Sequence, residues 1–313
     1  MRHKQGSQMP ENEIRTIVLH LLRGAVPERA NELSSLFKKY QANVAIMPNE
    51  TGMTMRANKD GIKFSLNDVD VIWLFSFSAG RAIETYAPSI VCAEIGGLEV
   101  GAVLQQDHGL GPVEQDYKAR MSAAEAYATD PNSSSAQWPS DIPKVTSDRA
   151  SLTNHDAAAF DLACLALASF FLHEIKHVEF ANAANRPVVA NEEEMACDTF
   201  ARSFLTDKLA AYAEQNAHDY QQVLSKRAFG LAIGAISIHG MTPHFARWGN
   251  IEYPSIGDRI DALIGGTPLD DNAHFWLFAG CLLTGIMRRE NRPLDLVPIS
   301  YRKYAEGLVK QLK

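Results

Sequence analysis

The sequence predicts an α+β fold: a small N-terminal region of helices and antiparallel sheet, followed by a mainly helical core. Three observations carry that expectation. Short apolar runs separated by turn residues fill 43–75, and helix-spaced apolar residues dominate from 156 onward. The stretch 156–180 carries apolar side chains on every face, so it must be buried on all sides.

At 313 residues and 46% hydrophobic, the chain can bury a sizeable core, as two modest domains or one large one with insertions. A formal charge of -7 argues against nucleic acid as a main partner, because phosphate binding needs Lys and Arg in excess. Residues 1–30 show no apolar segment followed by a small-residue cleavage site, and no run reaches the roughly 18–20 apolar residues of a membrane span. The four cysteines lack CxxC spacing. The expectation is a cytoplasmic protein with reduced thiols and no membrane association.

In chain order, residues 11–24 carry Ile14, Ile17, Val18, Leu21 and Leu22 at helical spacing, and a second helix follows Pro27 with Leu33, Leu36 and Phe37. Strands are expected at 44–47, 53–55, 62–64 and 69–75, with Asn58-Lys59-Asp60-Gly61 as a hairpin turn. A short helix over 78–86 should end at Pro88, and 98–104 reads as another strand. Between 105 and 154 periodicity fades into Gly, Pro, Ser and Asp, with only 113–127 helical. The helix of 156–180 is expected to start after Asn154 or Asp156 as N-cap and to end near Asn182. Further helices are expected over 191–215, 220–237, 255–264, 271–289 and 301–312. The chain is therefore expected to divide into an N-terminal α+β region (1–104), an irregular connecting segment (105–155) and a helical region (156–313), which the motif at 173–177 marks as the expected zinc-binding catalytic part.

The chemistry concentrates in Phe170-Phe171-Leu172-His173-Glu174-Ile175-Lys176-His177-Val178. His173 and His177 stand four apart, so on a helix they stack on one face with both imidazoles able to reach one ion. Glu174 flanks that face, where a carboxylate can take a proton from water without binding the ion itself. A catalytic zinc wants three protein ligands and one open position. Glu194, on the next helix, is the expected third ligand, with Glu193 the alternative if the register shifts by one. Asp198 lies one turn beyond Glu194, placed to hydrogen-bond a ligand imidazole and fix its tautomer. Cys197 reads as a small buried cysteine rather than a thiolate ligand. Lys176 projects to another side and receives no catalytic role. The expected cofactor is Zn2+, and the donor that stabilises the developing oxyanion is one of His239, His244, Tyr253 and Arg259.

The pairing of His173-Glu174-x-x-His177 with Glu194-x-x-x-Asp198 resembles the gluzincin metallopeptidases. Residues 168–178, the Glu-Glu-Glu-x-x-x-Asp segment and Tyr253-Pro254-Ser255-x-x-x-Arg259 are similar to the phage-exclusion peptidase family typified by Lit, in which a His-Pro pair often stands where this chain has Tyr253-Pro254. The resemblance covers about residues 140–265. It implies a zincin-like core and a cytosolic zinc endopeptidase that cleaves one protein substrate, a translation factor in the type member. Two other outcomes share the same residues. A fourth protein ligand would close the site and make a zinc-stabilised binding or regulatory protein, and a narrower pocket would suit a hydrolase of small amides or esters.

Overall fold

The computed structural model describes residues 11–40, 43–48, 54–130, 137–250 and 253–313. It is mostly helical with one three-stranded sheet, an α+β architecture. Helices α1 (Glu11–Ala25) and α2 (Ala30–Lys39) open the described chain. α1 buries Ile14, Val18 and Leu22, one per turn, against β1 (Asn43–Met47) and the later helix α6.

The sheet has the order β1-β3-β2, with β2 (Arg56–Asn58) and β3 (Gly61–Ser65) joined by the expected turn. β2 and β3 are antiparallel, but β1 and β3 run parallel, so the sheet is mixed where an antiparallel one was expected. Gly61 makes this possible. Its φ of 144° lies where L side chains rarely go, and a Cβ there would overlap the backbone of Asn43 on the neighbouring strand. Of the expected strand at 53–55, Met53 lies outside the described residues, and Thr54 and Met55 are not in a strand.

Two further strand expectations are corrected. Residues 69–75 fall inside α3 (Leu66–Gly96), which runs straight through Pro88 instead of stopping before it. Ser65 and Asp68 form a reciprocal capping box at its start, and Gly97 closes it in the left-handed conformation. Trp73, Leu74 and Phe75 are all buried, so the run is apolar because the helix is enclosed, not because it is pleated. Residues 98–104 are likewise largely helical, as α4 (Val100–Gln106).

Within the segment expected to be irregular, α5 (Leu110–Thr129) packs along α3. Residues 131–136 lie outside the described residues. The rest is tied down by Trp73, whose indole N–H donates to the Pro143 carbonyl at 2.8 Å.

α6 (Asn154–Asn182) is the central helix, capped by Thr153 rather than by Asn154 or Asp156: the Thr153 hydroxyl accepts from the Asp156 N–H. By length and hydropathy it matches a membrane-crossing helix, which the sequence reading did not expect. In this fold it packs instead among α1, α3, α7 (Ala190–Thr206) and α9 (Tyr220–Met241). Its approach to α9 is close enough that a Cβ on Gly230 would overlap Leu165. The expected helix 191–215 is two, α7 and α8 (Leu209–Gln215), broken at Asp207-Lys208. The chain closes with α10 (Ile256–Ile260), which continues into a π-helical turn, then α11 (His274–Arg289) and α12 (Tyr301–Gln311). Buried side chains from every part of this series join one hydrophobic core.

Candidate metal centre

α6 and α7 are consecutive helices packed face to face, and the i, i+4 spacing of each brings its chemistry onto the shared surface. His173 and His177 face Glu193, Glu194 and Asp198. These five side chains, with Glu174, line a cleft of about 910 Å³. The far walls come from Met55 to Ala57, from Met241 to Pro243 with Ala246, from Tyr253 and Pro254, and from Arg259 on α10.

Each imidazole is held from behind by a carboxylate. His173 Nδ1 lies 2.8 Å from Asp198 Oδ1, and His177 Nδ1 lies 2.9 Å from Glu193 Oε1. Asp198 is buried, and Arg259 grips it with Nε at 2.9 Å and Nη2 at 3.0 Å. Burial opposes charge on Asp198, but Arg259 and His173 hold its carboxyl below the usual range. Glu193 is depressed in the same way, by Arg186, whose Nε donates to it at 2.8 Å, and by His177. An ionised carboxylate can only accept, so both Nδ1 atoms must be the donors.

That assignment decides the other nitrogens. The two Nε2 atoms face each other at 3.1 Å, and both carry lone pairs when the rings are neutral. Glu194 adds its oxygens, Oε2 at 3.4 Å from His173 Nε2 and Oε1 at 3.3 Å from His177 Nε2. With both rings neutral, acceptors from three side chains thus converge, with Arg259 Nη2 at 3.6 Å from Glu194 Oε2 as the nearby positive charge, an arrangement that a further cation can resolve. A zinc ion with bonds of about 2.0–2.1 Å sets tetrahedral ligand atoms roughly 3.3–3.4 Å apart, and the observed spacings match that edge. A proton feels the same field. Burial lowers the His173 pKa, but Asp198 and Glu194 outweigh it and push it up to about 9. Burial likewise resists charge on Glu194, yet the two histidines and Arg259 hold it well below the normal carboxyl range.

His173, His177 and Cys197 also lie close enough to bind a metal ion, with donor atoms within 4.8 Å of one another. Two triads can therefore be drawn, and they differ in exposure and in the charge state of the third member. Glu194 lines the cleft whereas Cys197, fully buried, does not. Burial and the neighbouring carboxylates also drive the Cys197 thiol far above its ordinary pKa, against the thiolate that ligation needs.

Glu174 lies beside the convergent lone pairs without hydrogen-bonding any of them, and burial pushes its carboxyl pKa up. A raised carboxyl that meets the cleft is suited to accept a proton and return it. Of the four candidate oxyanion donors, Tyr253 and Arg259 line the cleft. His239 is buried on α9 with Nε2 3.0 Å from Glu290, and His244 is exposed outside the lining. The Arg259 guanidinium is engaged by Asp198, which leaves the exposed Tyr253 phenol as the donor of the four on the cleft wall that has no side-chain partner among the described residues. Lys176 turns away, paired with Glu179 at 3.3 Å and lying over the Phe180 ring.

Sequence reasoning missed Arg186, the support role of Glu193 and the contribution of β2. Glu193 was visible only as an alternative ligand, since nothing in the spacing tells the near nitrogen of His177 from the far one. The bond of Arg259 to Asp198 spans 61 positions and left no local signal.

The Peptidase U49 family model matches residues 62–279. The chain belongs to that family. The matched span holds the two histidines, the four carboxylates and both cleft arginines of α6 to α10, so the centre lies in the part that makes this chain a family member. No curated protein and no solved structure matches it.

Proposed function

We propose that this peptidase is a zinc-dependent endopeptidase of gluzincin type, with a zincin-like core formed by α6, α7 and the sheet beside them. One observation carries the proposal: the Nε2 lone pairs of His173 and His177 and the carboxylate of Glu194 converge at tetrahedral spacing on the wall of an open cleft. Zinc held there would polarise the scissile carbonyl and lower the pKa of a bound water toward about 7. Asp198 and Glu193 would keep both rings in the tautomer that turns Nε2 forward, and Arg259 would keep Asp198 charged. Glu174 would take the proton of the attacking water on its carboxylate and deliver it to the leaving amine. The Tyr253 hydroxyl would donate to the carbonyl oxygen as charge builds on it.

The cleft suits an extended chain. Among the described residues β2 is an edge strand of the sheet, and Met55 to Ala57 border the cleft, so a substrate segment can pair its main chain with that edge. The likeness to the phage-exclusion peptidases supports a host-defence role with one cytoplasmic protein, such as a translation factor, as substrate.

The test is to incubate zinc-loaded wild-type protein and Glu174→Gln with a bacterial lysate and compare newly formed protein termini. Wild type should generate a small set of cleavages that Glu174→Gln, still holding metal, makes 10²- to 10⁴-fold more slowly, in the range of about 10²–10⁴ for a general acid–base group. Identical termini from the two proteins would remove Glu174 from the chemistry.

A further inference from the structure

We propose that the cleft selects a substrate segment with an acidic side chain next to the scissile bond, held by Arg56 with Lys63 beside it. This rests on the hydrolase reading above and adds to it the chemical class of the substrate. Arg56 belongs to β2, is exposed, and borders the cleft. Its register partner across the antiparallel pair is Lys63, also exposed. Directly opposed residues project to the same face, and like charges placed that way destabilise a sheet unless an anion lies between or above them. Among the described residues neither side chain has a carboxylate partner, and the guanidinium of Arg56 reaches only the Met47 sulfur, at 3.5 Å.

With a dication held as proposed above, the other charges of the cleft would cancel and leave Arg56 over. Arg259 is matched by Asp198 and Arg186 by Glu193, while a dication would be balanced by Glu194 and Glu174. In a chain of formal charge -7, a cation at the rim of the cleft without a carboxylate partner among the described residues, with a second cation beside it on the sheet, is a local feature, not a reflection of bulk composition. A segment laid along the free edge of β2 turns every second side chain to the face that carries Arg56 and Lys63. A Glu or Asp there would accept charge-assisted hydrogen bonds from the guanidinium, with Lys63 adding a second positive charge.

The experiment uses two fluorescent decapeptides that differ only in carrying three Glu or three Gln on one flank, with binding to zinc-loaded Glu174→Gln protein read by fluorescence anisotropy. At low salt the Glu peptide should bind about fivefold more tightly, the scale of one partly exposed ion pair. Adding Arg56→Glu should abolish or invert that preference, Arg56→Gln should reduce it, and Lys310→Glu, which makes the same change of net charge far from the cleft on α12, should leave it intact. Equal affinities, no binding of either peptide, or a preference that survives Arg56→Glu would overturn the proposal. Cleavage by wild type separates it from the hydrolase reading. Binding that favours Glu without cleavage would count against hydrolysis alone, whereas equal cleavage of both peptides would count against the acidic preference alone.

Discussion

Two buried charged clusters in this molecule are built from similar parts and reach opposite ends. Glu114 of α5 sits between α3 and α11 and accepts from Arg288 Nε at 2.6 Å, Arg288 Nη2 at 2.9 Å and Tyr86 at 3.0 Å, with Lys118 Nζ at 3.1 Å. Every lone pair there has a donor, and the cluster clamps three helices together. At the α6–α7 surface the outer nitrogens and carboxylates are satisfied in the same manner, yet the inner lone pairs of His173, His177 and Glu194 meet one another. The first cluster is closed by its own donors; in the second, neutral imidazoles leave acceptors facing one another, where a proton or a metal ion fits. Burial and ionisation alone therefore do not mark a functional site; what sets the second cluster apart is that its acceptors converge and open on a cleft.

Breaking the support behind the second cluster should have the largest effect. Asp198→Asn keeps the shape but presents a neutral side chain to both Arg259 and His173. Metal affinity should fall by about 10–100-fold, the usual cost of losing such an outer partner, as measured by competition with a chelator. Affinity equal to wild type would show that Asp198 does not set the ring. The matching change in the first cluster is Glu114→Gln. It leaves Arg288 and Lys118 facing a neutral amide and should lower stability by about 2 kcal/mol in denaturant unfolding while metal content stays the same. A fall in bound metal would erase the distinction between the clusters.

A finer contrast comes from pH. Burial raises the Glu114 pKa, but Arg288, Lys118 and Tyr86 outweigh it and hold the group at about 2 against an ordinary 4.5. A depressed carboxyl stabilises the fold above its unfolded pKa, and that contribution is lost as pH falls through the folded one. Wild type should therefore lose stability more steeply than Glu114→Gln between pH 4.5 and about 2. Parallel curves would remove Glu114 from the acid limb.

These contrasts also show how much was legible in the sequence. The pairing of His173 with His177, and of Glu194 with Asp198, could be seen because helical periodicity turns spacing into a shared face. Which of Glu193 and Glu194 turns inward depends on the rotation of α7 against α6, which is set by packing. The N-terminal region was less readable. Residues 69–75 look like a strand because a helix enclosed on all sides loses its amphipathic period, and Pro88 looks like a stop that α3 in fact tolerates. The parallel pairing of β1 with β3 depends on a close contact at Gly61 with Asn43, 18 positions earlier, which no local pattern encodes.

The central claim, that His173, His177 and Glu194 hold a catalytic metal, is tested most directly by the metal content of purified protein, measured by mass spectrometry after dialysis in wild type, Glu194→Ala and Cys197→Ser. The account predicts one zinc per chain in wild type and Cys197→Ser and loss of it in Glu194→Ala. A metal-free wild type, or zinc kept by Glu194→Ala and lost by Cys197→Ser, would contradict it.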